Sequence, residues 1–250
     1  MGGRLPRDAH TRRRDRRELP RPEHRPRTGG MIWRQVVVGD GLLRIEYGLA
    51  RRLWADPDQD QLDVWEVRLE VGSFTKEHDD EDGVVWTAAA RATLFGMDPE
   101  RQALLGQLPL DVADAHSGDT AYCDEHVFDT GGQLLPDAAE QFEWQQGRAL
   151  FLHDVHVAEQ HRRQGFASLL AADAILTLAP HGTAVFAHPG PTDLNADDDD
   201  DMRHLRHQTR NTRFLARLGF VPFRDQLWTL DLSAGDAAET LAELRRAGRP

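Results

Sequence analysis

The stretch that most constrains this chain is Ala149 to Leu170, ALFLHDVHVAEQHRRQGFASLL. Its first part ends in a β-branched alternation, Val155-His156-Val157, and reads as a strand. A polar elbow follows. Gly165-Phe166-Ala167 then opens an Ala/Leu-rich segment that reads as a helix and stops at Pro180. Gly165 and Ala167 carry little or no side chain, so backbone there can approach a ligand closely. The free N–H groups of a turn and of a helix N-terminus point the same way and make an anion site. Arg162 and Arg163 add positive charge beside it. The ligand this arrangement predicts is a phosphate or pyrophosphate.

Arg162-x-x-Gly165-x-Ala167 after a V-x-V strand resembles the acyl-CoA pyrophosphate loop of the GNAT superfamily of N-acetyltransferases. Downstream, Arg213-Phe-Leu-Ala-Arg-Leu-Gly-Phe220 is similar to the family's last helix running into "LGF", and Val221 to Leu232 to its closing strands. A strand over Thr183 to His188 sits between the two. The resemblance covers roughly residues 149–232 and only loosely what precedes them. It implies an α/β fold with a mixed, mostly antiparallel central sheet and helices on both faces. The dinucleotide fingerprint G-x-G-x-x-G and the P-loop G-x-x-x-x-G-K are both absent from the sequence.

The resemblance also implies site residues. The backbone of Val155 and Val157 would hold pantetheine of acetyl-CoA, the acyl donor. The pyrophosphate would sit on amides of Arg162, Arg163, Gln164, Gly165, Phe166 and Ala167. Asn211 or Gln208, on the last helix, lies where many members place an Asn against the cofactor. His153 lies twelve residues before Gly165, where arylalkylamine N-acetyltransferases carry a catalytic His. It is the first candidate for the base, because histidine titrates near operating pH; an ordinary strand histidine is the alternative. Alternation places Phe151, His153 and Val155 on one face, with Asp154 and His156, the secondary candidates, on the other. The family's frequent general acid is a Tyr four residues before the Gly of "LGF". Here that residue is Leu215, and the only tyrosines are Tyr47 and Tyr122. The implied function is transfer of an acetyl group to a primary amine by direct attack. The alternative is a non-catalytic acyl-CoA-binding module or sensor.

Composition narrows the partners. The first 30 residues hold ten arginines against four acidic residues, a surplus of six positive charges. Since the whole chain carries −12, residues 31–250 carry −18. The prefix has no apolar core of a secretory signal. It reads as a disordered arm or as the product of a start placed before Met31. Residues 31–250 read as a single domain with an insertion at about 95–148, a lid or side wall for the acceptor. The acidic body disfavours nucleic acid and favours a cationic acceptor, a small-molecule or peptide amine. A homodimer stays open. One cysteine, Cys123, permits no internal disulfide and suits a reducing cytoplasm. Phe166 to Ala179 is too short to span a membrane.

Other elements follow from pattern. Ile32 to Val38 and Leu42 to Tyr47 read as a hairpin about Gly39-Asp40-Gly41. Leu62 to Val71 and Val84 to Leu94 read as half-buried antiparallel strands. Short helices are expected at Leu49 to Trp54 and Ala138 to Gln146, and partial helix within Leu104 to Phe128. A Gly/Pro-rich surface loop is expected at Thr130 to Asp137, and a helix capped by Ser233 runs to Arg246. The acidic loop Glu77 to Asp82 lacks two carboxylates of a calcium loop. Asp197 to Asp201 before His204 and His207 reads as a charged helix start rather than a metal site; no metal is expected.

Overall fold

The computed structural model describes residues 31–38, 41–50, 63–74, 84–98, 125–129, 133–142, 148–179, 183–190, 201–224 and 226–247. The arm 1–30, the acidic loop 77–82, Cys123 and Asp197 to Asp200 lie outside them. Eight strands form one sheet in the order β1-β2-β3-β4-β5-β6-β8-β7. They are β1 (Met31–Val38), β2 (Gly41–Ala50), β3 (Asp63–Phe74), β4 (Val84–Met97), β5 (Ala149–Val157), β6 (Ala184–Ala187), β7 (Val221–Pro222) and β8 (Trp228–Asp231). Every neighbouring pair is antiparallel except β5 and β6, which are parallel. The fold is therefore α/β with a mixed, mostly antiparallel sheet.

The first four strands are a meander of the alternation read from the sequence. Val38 pairs with Gly41 across the first turn. On β3, Val67 and Leu69 are wholly buried while Glu66 and Arg68 face solvent. Leu49 and Ala50 extend β2 opposite Trp65 and Val64, so the helix expected from Leu49 does not begin there. Its remainder, to Trp54, lies outside the described residues. Strand β4 runs on to Met97, which moves the start of the insertion past it.

A 3-10 turn (Glu159–His161) and the helices α1 (Pro136–Gln141), α2 (Phe166–Leu178), α3 (Asp201–Arg217) and α4 (Gly235–Ala247) complete the described elements. Helix α2 is apolar nearly all round, as a helix covered on both sides must be. One side lies on the sheet and the other against α4, so Leu170, Ala171, Ala172, Ala174 and Ile175 are fully buried. Burying a side chain of leucine size stabilises the fold by about 1.5–3 kcal/mol. The one charged residue of α2 is Asp173, 1 % exposed. It accepts a hydrogen bond from the Tyr47 hydroxyl of β2 and pairs with Arg245 of α4. One carboxylate thereby ties sheet, inner helix and outer helix together.

Helix α3 ends where the sequence places its glycine. Gly219 is left-handed at φ 93°, the Phe220 N–H donates to the Leu215 carbonyl at 3.1 Å, and Phe220 enters the core. This is a glycine C-terminal cap with its hydrophobic contact. Helix α4 begins later than expected. Ser233 bonds to the Asp231 carboxylate rather than capping the helix, which starts at Gly235.

The other face of the sheet has its own core of Phe95, Met97, Ala149, Phe151, Ala184 and Phe186. It is covered by the insertion: Val127, Phe128, Ala138 and Phe142 pack into it, and Phe128 pairs with Leu134 in an isolated bridge. That bridge closes the expected surface loop, and α1 starts at Pro136, two residues before the expected helix. An ion pair from Asp137 to Arg224 fastens α1 to the loop between β7 and β8. The described parts of the insertion, 125–129 and 133–142, are thus a layer of the core. No helix among the described residues is long and apolar enough to cross a membrane.

Candidate functional site

The site arises where β5 and β6 part. The two strands pair only over Ala149–Phe151 and Ala184–Phe186, whereas β4 follows β5 as far as Val157. From Leu152 onward β5 leaves β6, and a cleft of about 860 Å³ opens between them. The start of α2 and the second half of α3, from His207 to Arg217, complete its walls.

A bulge in β5 decides what faces where. Thr93 pairs with Asp154 and Leu94 with Leu152, so His153 is the extra residue. An extra residue reverses the alternation beyond it. Val155 and Val157 consequently pack with Leu150 and Leu152 in the core under α2. Asp154 and His156 pair opposite Thr93 and Arg91, on the Phe151 side. His153 lies against the Phe95 ring on that same side, centroids 5.1 Å apart. The expected grouping of Phe151, His153 and Val155 against Asp154 and His156 is therefore wrong. Both candidate histidines belong to one side of the sheet, and both line the cleft.

The elbow after β5 is built for close approach. Arg163 (φ 65°) and Gly165 (φ 84°) are both left-handed, which bends the chain so that successive N–H groups converge. The first helical bond of α2 runs from the Leu169 N–H to the Gly165 carbonyl at 3.0 Å. The preceding N–H groups of the first turn have no partner within the helix, and no side chain caps it. Gly165 to Ser168 line the cleft. A Cβ built on Gly165 would meet nothing within 4 Å, so it faces the open cleft, and the backbone stays bare there for a ligand.

Arg162, Arg163, Phe166 and Ala167 line the cleft as expected. Gln164 does not: its amide donates to the Gln160 carbonyl at 3.2 Å, on the outside of the elbow. Asn211 lines the cleft and donates to the carbonyls of Pro189 and Gly190, at 3.1 and 3.2 Å. Its amide group thus holds the end of β6 to α3. Gln208 turns away to Gln226, at 2.7 Å. Leu215, 4 % exposed, is part of the core at the cleft's edge.

Sequence reasoning missed several walls of the cleft. Arg210, Arg213 and Arg217 of α3 line it, as do His161, His188 and His207. The lining includes five arginines and five histidines but one carboxylate, Asp154. In a chain of net charge −12, five arginines against one carboxylate make the cleft a place for an anion. The arginines recur at helical spacing, a legible signal. The cleft histidines share no spacing that would have joined them.

No group of three or more His, Cys, Asp or Glu among the described residues is arranged to hold a metal ion. No protein-family model, curated protein or solved structure matches the chain.

Proposed function

We propose that the chain is an acyl-CoA-dependent N-acyltransferase, moving an acetyl group from acetyl-CoA to a primary amine. The observation that carries this reading is the parting of β5 from β6 beside the uncapped start of α2. An extended pantetheine chain matches the bared edge of β5, and a pyrophosphate matches the N–H groups and arginines of the elbow. The open space before Gly165 fits a group that must approach backbone closely. Val155 and Val157 would contribute backbone, since their side chains belong to the core.

In this reading His153 takes a proton from the acceptor ammonium, directly or through a water. The freed amine attacks the thioester carbonyl to form the C–N bond, the C–S bond breaks, and the second proton lost by the nitrogen passes through water to the departing thiolate. An ammonium has no lone pair, so such a base is worth about 10²–10⁴-fold in rate. The acidic body favours a cationic acceptor. An acetyl-transfer assay over a panel of amines, with free thiol as readout, tests the proposal. Acetyl-CoA binding without turnover on any amine would count against an enzyme.

One observation favours a second reading, a non-catalytic acyl-CoA sensor. The position that resembles the family's acidic Tyr holds Leu215, packed into the core with no proton to give. Measurable turnover would set that reading aside.

A further inference from the structure

The outer side of α3 carries a charge pattern that the proposed reaction does not use. From Met202 to Arg217 the helix has no acidic residue. Arg206, Arg210, Arg213 and Arg217 recur at steps of four, three and four. At helical pitch they fall within about 60° of one another, spread along about 16 Å of axis. All four are exposed, and none makes an ion pair or side-chain hydrogen bond among the described residues. Leu215 and Leu218, on the far side of the helix, enter the core. Like charges three and four residues apart on a helix repel one another, so the free protein bears a cost that a bound anion would relieve.

The row does not stand alone. Arg210 and Arg213 line both the main cleft and a second groove of about 390 Å³, completed by Leu205, Arg206 and Thr209. The groove thus shares two arginine side chains with the cleft, on the α3 side. Leu205 is 55 % exposed there and offers apolar surface beside the guanidinium groups.

We infer that this groove is a second anion station that holds the 3′-phosphate end of the donor nucleotide. It selects CoA over donors lacking that phosphate. The inference rests on the donor proposed above. A phosphate monoester carries about two negative charges and three acceptor oxygens, which suits the forked donors of neighbouring arginines. The exposed face of Leu205 suits the adjoining base. The elbow at Arg162 to Ala167 would meet the pyrophosphate, and the two stations would grip the nucleotide at separate points.

Calorimetric titration of the full chain with CoA and with dephospho-CoA tests this. CoA should bind about tenfold or more tightly, the scale of charge-assisted hydrogen bonds. In the variant Arg206→Ala, whose side chain lines the groove but not the main cleft, CoA affinity should fall several-fold toward the dephospho-CoA value, while dephospho-CoA changes by less than about twofold. That side chain is exposed, so an unchanged melting temperature verifies folding. Equal binding of the two ligands by the unaltered protein overturns the second station and leaves the donor reading standing. Failure of both ligands to bind overturns the donor reading and this inference with it.

Discussion

Three residues carry separate predictions. His153 sits at the bulge, against Phe95 and beside the cleft. His153→Ala should lower kcat by about 10²-fold or more and leave acetyl-CoA affinity nearly unchanged if, as proposed, the elbow binds the donor. His156→Ala should do much less; because both histidines occupy one side of the sheet, a larger loss there would transfer the role to His156. At Gly165, any side chain meets a left-handed backbone, a cost of about 1–2 kcal/mol, and projects into the cleft. Gly165→Val should weaken acetyl-CoA binding by about tenfold or more, with Gly165→Ala as the comparison carrying the backbone cost and the smallest Cβ. Unchanged affinity in folded Gly165→Val would remove the elbow from the site. Glu46 concerns stability alone. Burial, then repulsion from Glu70, raises its pKa above the usual 4.5, partly offset by Arg44 and Arg68. The folded state therefore holds this proton to higher pH than the unfolded state. Stability falls as pH rises through that window, and the loss is complete above it. Glu46→Gln should then melt higher than the unaltered protein at pH 7, with the advantage vanishing below the carboxylate range. A lower melting temperature at pH 7 would show that the pairing with Arg44, 3.4 Å away, outweighs burial.

At the scale of elements, the buried carboxylate of α2 is the point to probe. Asp173 is held by Tyr47 and Arg245 from two other elements. Removing one partner of a buried pair leaves an uncompensated charge, at a cost of about 3–5 kcal/mol. Arg245→Met should therefore destabilise strongly in urea unfolding. The double variant Arg245→Met/Asp173→Leu should recover much of the loss, because an apolar replacement leaves no charge stranded. Should Arg245→Met unfold at the same denaturant concentration as the parent, the pair contributes nothing net. The start of α2 is also a wall of the cleft, so the partly recovered variant tells whether the tie positions the elbow: its acetyl-CoA affinity would then remain reduced. The sequence marked α2 as a core helix by its apolar run. It did not mark Asp173 as tied, because Tyr47 and Arg245 lie far from it along the chain.

Over the whole molecule, charge is unevenly placed. Residues 31–250 are strongly acidic by sequence, yet the cleft and the outer face of α3 are cationic. A field of that shape draws anions to the cleft and cations to the rest of the surface. The Arg-rich prefix bears on this field alone if it takes no part in the core. A chain beginning at Met31 should then keep its melting temperature and its acetyl-CoA affinity. A fall of several degrees, seen by calorimetry, would make the prefix part of the folded body.

The sequence by itself determined most elements, because each rests on local chemistry. Alternation at Val64 to Val71 sets a half-buried strand, the Ala/Leu run after Gly165 sets a buried helix, and Gly219 sets a helix end. It also determined where an anion could meet bare backbone, since that depends on residues adjacent in the chain. Tertiary structure decided what depends on distant partners. Pairing of β5 with β4 placed the bulge at His153, and so the faces of Val155, Asp154 and His156. Packing of 125–129 and 133–142 on Phe151 and Phe186 made these residues of the insertion a layer of the core. Only the early parting of β6 from β5 brought the elbow, the histidines and the arginines of α3 around one cleft. Strand parting follows from the length over which two distant segments pair, and nothing local to either segment encodes it.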